Sequence, residues 1–262
     1  MIKNLLIKKI MEKILKFFYL NNFHKISFCI IKILSLFDKT MRSRMSFYNF
    51  FKKRKINYSK KVLLSLYEPS IFIFNLNIDN FNLIKKIYNY ENIFKENIYT
   101  YHDHVNIFQS EHDLNKKEEF LEISFFLENF INEKISNFYG SELIKIKKMW
   151  FVITQKAGLI KKHSHLDSDL SGVLYLNVDE ENINVNDGLK IHNYSKFIKI
   201  YKYYEENNNF ITSIIKDDNY IFKPKVNDLI IFNSYLEHSV ENNNSKISNR
   251  ISLPFDLQFF IK

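Results

Sequence analysis

The chain has 262 residues, 46% of them hydrophobic and 26% charged, which is long and apolar enough to bury a core and excludes wholesale disorder. Its single cysteine, Cys29, excludes an intrachain disulfide framework and a multi-cysteine zinc site; a reducing, cytoplasmic compartment is the matching expectation. The net charge of +9 is uneven: residues 1–61 carry +14, which leaves −5 on residues 62–262, so the basicity says nothing about a site in the larger part.

The same boundary suggests a basic amphipathic helical extension, residues 1–61, followed by one folded domain, residues 62–262. At helical spacing, residues 2–20 set Lys3, Lys8, Glu12, Lys13 and Lys16 along one side and Ile2, Leu6, Ile10, Ile14 and Phe17 along another. Peripheral contact with an anionic membrane surface is one reading of that pattern. A docking helix, or upstream sequence that is not translated because Met41 or Met45 starts the chain, are the others. The apolar run at 26–37 contains Lys32 and is shorter than the ~20 residues of a spanning helix, and no small-residue cleavage site follows it. The KKRK cluster at 52–55 reads as solvated linker, so nucleic acid is not an expected partner.

After Pro69, residues 71–76 predict a strand and residues 79–90 a short helix. Residues 95–115 read as loop; they hold His102, His104 and His112, and the His102/His104 pair has neither sustained alternation around it nor a partner downstream. From 116 to 139, Phe120, Ile123, Leu127, Phe130, Ile131, Ile135 and Phe138 recur at helical spacing, with Gly140 as the stop. The period then changes to 2. Nine short strands are predicted at 148–155, 170–178, 189–193, 196–204, 210–215, 220–224, 228–234, 236–241 and 250–260, separated by Asn/Asp-rich turns. That pattern predicts a mainly β fold with flanking helices, a double-sheet jelly roll.

Chemistry concentrates at GLIKKHSHLDSDLSGVLYL, residues 158–176. Residues two apart on a strand point to the same side, so His163 with His165, or His165 with Asp167, would offer two ligand atoms to one point. In the last strand Arg250, Ser252, Asp256 and Gln258 share one face, and Ile251, Leu253, Phe255, Leu257 and Phe259 the other. If the polar face meets water it has no special role; if it lines the barrel interior, Arg250 needs an anion. With Ser252 it would then make a carboxylate pocket of charged hydrogen bonds plus a hydroxyl. His238 precedes this strand by twelve residues, and a hairpin would set it beside Arg250. Imidazole and carboxylate ligands with open positions suit Fe(II), although zinc accepts three histidines as well. His192 reads as an ordinary satisfied polar group.

The strings HSHLDSDLSGVLYL, DGLKIHN, KPKVNDLIIFNSYLEHSV and NRISLPFDL, in that order, resemble a family of 2-oxoglutarate/Fe(II) oxygenases. Its pattern runs H-x-H-P-x-S-x-L-S-G-V-Y-Y, G-x-L-x-F, K-P-x-x-G-D-L-I-L-F-P-S-W-L-x-H-x-V and R-I-S-x-S-F-N. The likeness spans about 66–260 and leaves the first 60 residues outside. It implies a double-stranded β-helix, Fe(II), 2-oxoglutarate and O2. It also implies metal ligation by His163, His165 and His238, and co-substrate binding by Arg250 and Ser252, with Tyr175 as a further hydroxyl. The chain departs from the pattern at Leu166 (proline in the family), Leu174 (tyrosine), Asn227 (glycine), Asn233 and Tyr235 (proline and tryptophan), and Pro254 and Asp256 (serine and asparagine). Without the proline the strand can run on to Asp167, so three of His163, His165, Asp167 and His238 would bind. The expected activity is dioxygenation of an unidentified substrate. The rival readings are a cupin-like binding module and a zinc-dependent isomerase or hydrolase.

Overall fold

The computed structural model describes residues 68–94, 105–141, 143–179, 188–193, 197–204, 208–241 and 249–260. The basic extension, Cys29 and the His102/His104 pair lie outside them. Twelve strands and two helices follow in chain order: β1 (Ser70–Asn75), α1 (Phe81–Phe94), β2 (Val105–Gln109), α2 (Leu121–Tyr139), β3 (Leu143–Met149), β4 (Val152–His163), β5 (Leu170–Asn177), β6 (Gly188–His192), β7 (Ile198–Tyr204), β8 (Asn209–Ile215), β9 (Asn219–Phe222), β10 (Asp228–Asn233), β11 (His238–Glu241) and β12 (Asn249–Phe260).

The hydrogen-bonded order is β8-β7-β1-β10-β5-β12-β4-β11-β6-β9, with β2 added to β4 and β3 to β12. This is the expected mainly β architecture, a sheet folded over on itself in the manner of a double-stranded β-helix. The central strands β1, β5, β10 and β12 are buried along nearly their whole length, as strands covered on both faces must be. β12 contributes Leu253, Phe255, Leu257 and Phe259 to the core on one face and holds Arg250, Ser252 and Asp256 buried on the other. The predicted polar face is therefore interior rather than wet.

Helix α2 covers the outside of this sheet. Leu127, Ile131, Ile135 and Tyr139 are fully buried at four-residue spacing, with Phe130 edge-on to Phe74 at 5.1 Å and Tyr139 against Phe259 at 5.0 Å. Gly140, in the left-handed region at φ 66°, ends the helix. Two α2 side chains also finish the outer edge of β3. Asn132 accepts from Ile144 N–H and donates to Ile144 C=O, both at 2.7 Å, and Glu128 accepts from Ile146 N–H at 2.8 Å. An edge strand capped in this way offers fewer free backbone groups to another chain.

Strand β4 links the two walls. Its residues 152–155 pair with β12 and its far end, Ile160 and His163, pairs with β11. Between them Ala157 has φ 60°, and a Cβ on Gly158 would lie 2.3 Å from Thr154 Cγ2 and 2.9 Å from the Gln155 carbonyl oxygen. The strand turns its corner at this point because residue 158 has no side chain.

Several boundaries differ from the sequence reading. The single strand expected at 148–155 is two strands, β3 and β4, lying end to end along β12, with Trp150 N–H bonding Pro254 C=O at 3.0 Å across the break. The 95–115 stretch contains strand β2, too short to show a period but paired with β4. His238 and Arg250 do not sit on a hairpin: β4 lies between β11 and β12. Asn227, in the place of the family's glycine, takes φ 67° and anchors the turn through Nδ2 to Ile78 C=O at 2.9 Å.

Candidate metal and co-substrate site

A cavity of about 520 Å³ opens between the two walls. His163 closes β4, His165 lies just beyond it, and His238 opens β11 directly opposite His163. His165 is held by its backbone, whose N–H bonds Ser234 C=O at 2.9 Å. Between His163 and His238 the ring centroids are 4.3 Å apart, between His163 and His165 5.1 Å, and between His165 and His238 5.2 Å. The three candidate ligand atoms lie within 4.8 Å of one another.

The hydrogen bonds orient the rings. Nδ1 of His163 meets Lys161 C=O at 2.8 Å, Nδ1 of His238 meets Leu236 C=O at 3.0 Å, and Nδ1 of His165 meets Asp256 Oδ1 at 2.7 Å. All three partners only accept, so each Nδ1 carries the proton and each Nε2 is left with its lone pair. His238 is buried and packed edge-on against Phe232 at 4.9 Å. Burial, and then the two neighbouring imidazoles, hold its pKa well below the ordinary value and keep it neutral. Three imidazoles aimed at one point fit a divalent transition ion.

Asp167 is not in this cluster. β4 stops at His163, and Leu166 and Asp167 form a turn rather than a continued strand, so the alternative His165/Asp167 register does not arise. The Asp167 carboxylate turns to Lys148 Nζ at 2.8 Å and Lys147 Nζ at 3.1 Å. Partial burial pushes its pKa up, but the two ammonium groups outweigh it and hold the carboxyl well below the usual carboxylate range.

Arg250, Ser252 and Tyr175 line the same cavity and are 6%, 7% and 3% exposed. Ser252 and Tyr175 are opposite one another across β12 and β5, and Arg250 is opposite Thr154 of β4. Burial raises the Tyr175 pKa to about 12 against the opposing pull of Arg250, so its phenol stays a neutral hydrogen-bond donor. A guanidinium, a hydroxyl and a phenol side by side form a set of donors that can receive an anion.

The sequence reading assigned no role to the wall on the other side of the histidines. Trp150 stacks on His165 at 5.7 Å and on His112 at 4.5 Å, and His112 Nε2 meets Gln109 Nε2 at 2.5 Å. Burial, then Lys148, lowers the His112 pKa. In the sequence these residues stood out only within the strings FQSEHDL (108–114) and KMWFVI (148–153), which also resemble the family, and His112 as one loop histidine among three. His192 is away from the cluster, with Nε2 3.2 Å from Ser239 Oγ.

The double-walled fold and its three-imidazole cavity fit a non-haem Fe(II) oxygenase that uses 2-oxoglutarate and O2, an oxidoreductase. Residues 148–256 match the model of the family described as "Putative 2OG-Fe(II) oxygenase". No curated protein matches the sequence. Among solved structures the chain is similar to a prolyl-4-hydroxylase of Pseudomonas putida, with 15% identity over 76% of this chain and 98% of that one and a TM-score of 0.48. It is also similar to a collagen prolyl hydroxylase of Paramecium bursaria Chlorella virus-1 solved with 2-oxoglutarate, with 12% identity, 73% and 96% coverage and a TM-score of 0.44. A third likeness is to HygX of Streptomyces hygroscopicus with nickel, 2-oxoglutarate and hygromycin B bound, with 8% identity, 78% and 88% coverage and a TM-score of 0.43. Among the described residues no helix is long and apolar enough to cross a membrane.

Proposed function

We propose that the protein is a 2-oxoglutarate-dependent dioxygenase that inserts one oxygen atom of O2 into a substrate C–H bond while 2-oxoglutarate loses CO2 and becomes succinate. His163, His165 and His238 would hold Fe(II) through Nε2. The bound metal supplies the capacity to activate O2, which no side chain of the protein has. Arg250 and Ser252 take the far carboxylate of 2-oxoglutarate, and Tyr175 donates from the neighbouring strand. These groups fix the co-substrate so that its 2-oxo acid end reaches the histidines, and the apolar walls at Ile160, Leu189, Phe232 and Val240 exclude water. The substrate approaches past Trp150 and His112. Peripheral membrane contact remains the role proposed for the basic extension.

The observation that carries this reading is the convergence of three oriented imidazoles in one cavity with a buried arginine and serine. A cupin-like binding module has no need of that arginine. The zinc reading draws on the all-imidazole donor set, which zinc also accepts. Anaerobic titration of Fe(II)-loaded protein with 2-oxoglutarate separates them. The weak visible charge-transfer band of a bidentate chelate is expected in the wild type and only at far higher 2-oxoglutarate in Arg250→Ala. Tight zinc binding with no band from the iron form would overturn the oxygenase reading in favour of the zinc enzyme.

A further inference from the structure

The three imidazoles contribute no negative charge. A divalent ion held by them alone, in a cavity with a buried arginine and lysines at its rim, would keep both its charges uncompensated by its ligands, an expensive arrangement in a poorly solvated site. Asp167, the carboxylate closest in sequence, is committed to Lys147 and Lys148. The carboxylate that does face the cluster is Asp256. It is 2% exposed, and its Oδ1 receives both His165 Nδ1 at 2.7 Å and Ser171 Oγ at 2.9 Å. Ser171 Oγ lies in turn 3.1 Å from Ser234 Oγ, and the β-ladder fixes Asp256 between Ser171 of β5 and Lys148 of β3.

We propose that Asp256 is a positioning residue that lends the metal centre, through the His165 imidazole, the negative charge its all-histidine ligand set lacks. The inference rests on the histidine metal centre proposed above. An asparagine, the residue of the family pattern at this position, would accept the same hydrogen bond from Nδ1 and hold the same ring orientation. What it could not do is make His165 a stronger donor by stabilising positive charge on the ring. The chain has therefore kept the geometry and added a charge. Ser171, itself beside Ser234, aims that charge, and strand pairing on both sides keeps it from turning to solvent.

The chain's only tryptophan is Trp150, stacked on His165 and His112, so its fluorescence responds to a metal bound beside it. Full-length wild type, Asp256→Asn and Ser171→Ala are titrated with Co(II) without 2-oxoglutarate, following tryptophan quenching together with the cobalt visible bands. Asp256→Asn is expected to bind Co(II) about 10–100-fold more weakly with weakened visible bands, while its metal-free unfolding midpoint stays at the wild-type value. Ser171→Ala, which removes one of the two hydrogen-bond donors to the carboxylate, is expected to lose affinity in the same direction by a smaller factor. Asp256→Asn binding as tightly as wild type would overturn the proposal; should that variant not fold, Ser171→Ala at wild-type affinity overturns it instead. A wild-type protein that binds no Co(II) would sink the histidine centre itself, a different failure from the loss of Asp256's role.

Discussion

The two ends of the cavity are held in place by different means. Arg250, Ser252 and Tyr175 sit inside the paired lengths of β12 and β5, where backbone ladders on either side set their spacing. The histidines sit at strand ends and in the turn beyond β4, and side-chain hydrogen bonds at each Nδ1 orient their rings. The anion end is thus positioned by the sheet, whereas the metal end depends on individual acceptors. A single substitution at the metal end should remove function without disturbing the fold; at the anion end it should weaken one ligand and spare the other.

The largest effect expected is at the metal end. His238→Ala should abolish Fe(II) binding, read by tryptophan quenching, with far-ultraviolet circular dichroism unchanged; retained binding would mean that the cluster is not the centre. Arg250→Ala comes next, with about 2–5 kcal/mol lost from 2-oxoglutarate binding at unaltered metal affinity. Equal losses of both ligands would erase the distinction between the two ends. Asp167→Ala should leave metal affinity as it is and cost at most about 1 kcal/mol of stability, since its partners are part-exposed lysines; loss of metal in this variant would restore Asp167 as a ligand.

The smallest effect concerns pH. Burial, followed by Lys162 and Lys190, lowers the His192 pKa in the folded state. The unfolded chain therefore takes up a proton near the ordinary value of about 6.5 while the folded chain still resists it. Stability is unaffected above that pH and falls as pH drops below it. His192→Gln should make the melting temperature slightly less sensitive between about pH 7 and pH 5.5, and an unchanged slope would show that other groups carry the acid sensitivity.

What the sequence revealed follows the same division. The strand that carries Arg250 and Ser252 alternates cleanly because one face packs and the other lines a cavity, so the fold class and a candidate carboxylate pocket could be read from period, whereas Tyr175, on a strand buried along both faces, was marked only by the family likeness. The residues around the histidines obey no period. Whether β4 ran on to Asp167 depended on where a turn began, and Lys147 and Lys148, which hold Asp167 aside, come from a strand that the sequence merged with its neighbour. Trp150 sits in the break between β3 and β4, where no alternation marks it. Asp256 stood on the correct face but looked like one polar residue among four. Its role appears only when β5 and the turn after β4 bring Ser171 and His165 to it.

The corner at Ala157 and Gly158 has a mechanical consequence. One unbroken run of backbone belongs to both walls of the cavity, so the walls cannot slide past each other or part along β4 without breaking its pairing to β12 or β11. Opening and closing around a substrate must therefore be the work of the rim, and the span between the anion end and the histidines is set by the length of one strand. A co-substrate one carbon shorter or longer would meet a gap that the protein has little means of adjusting.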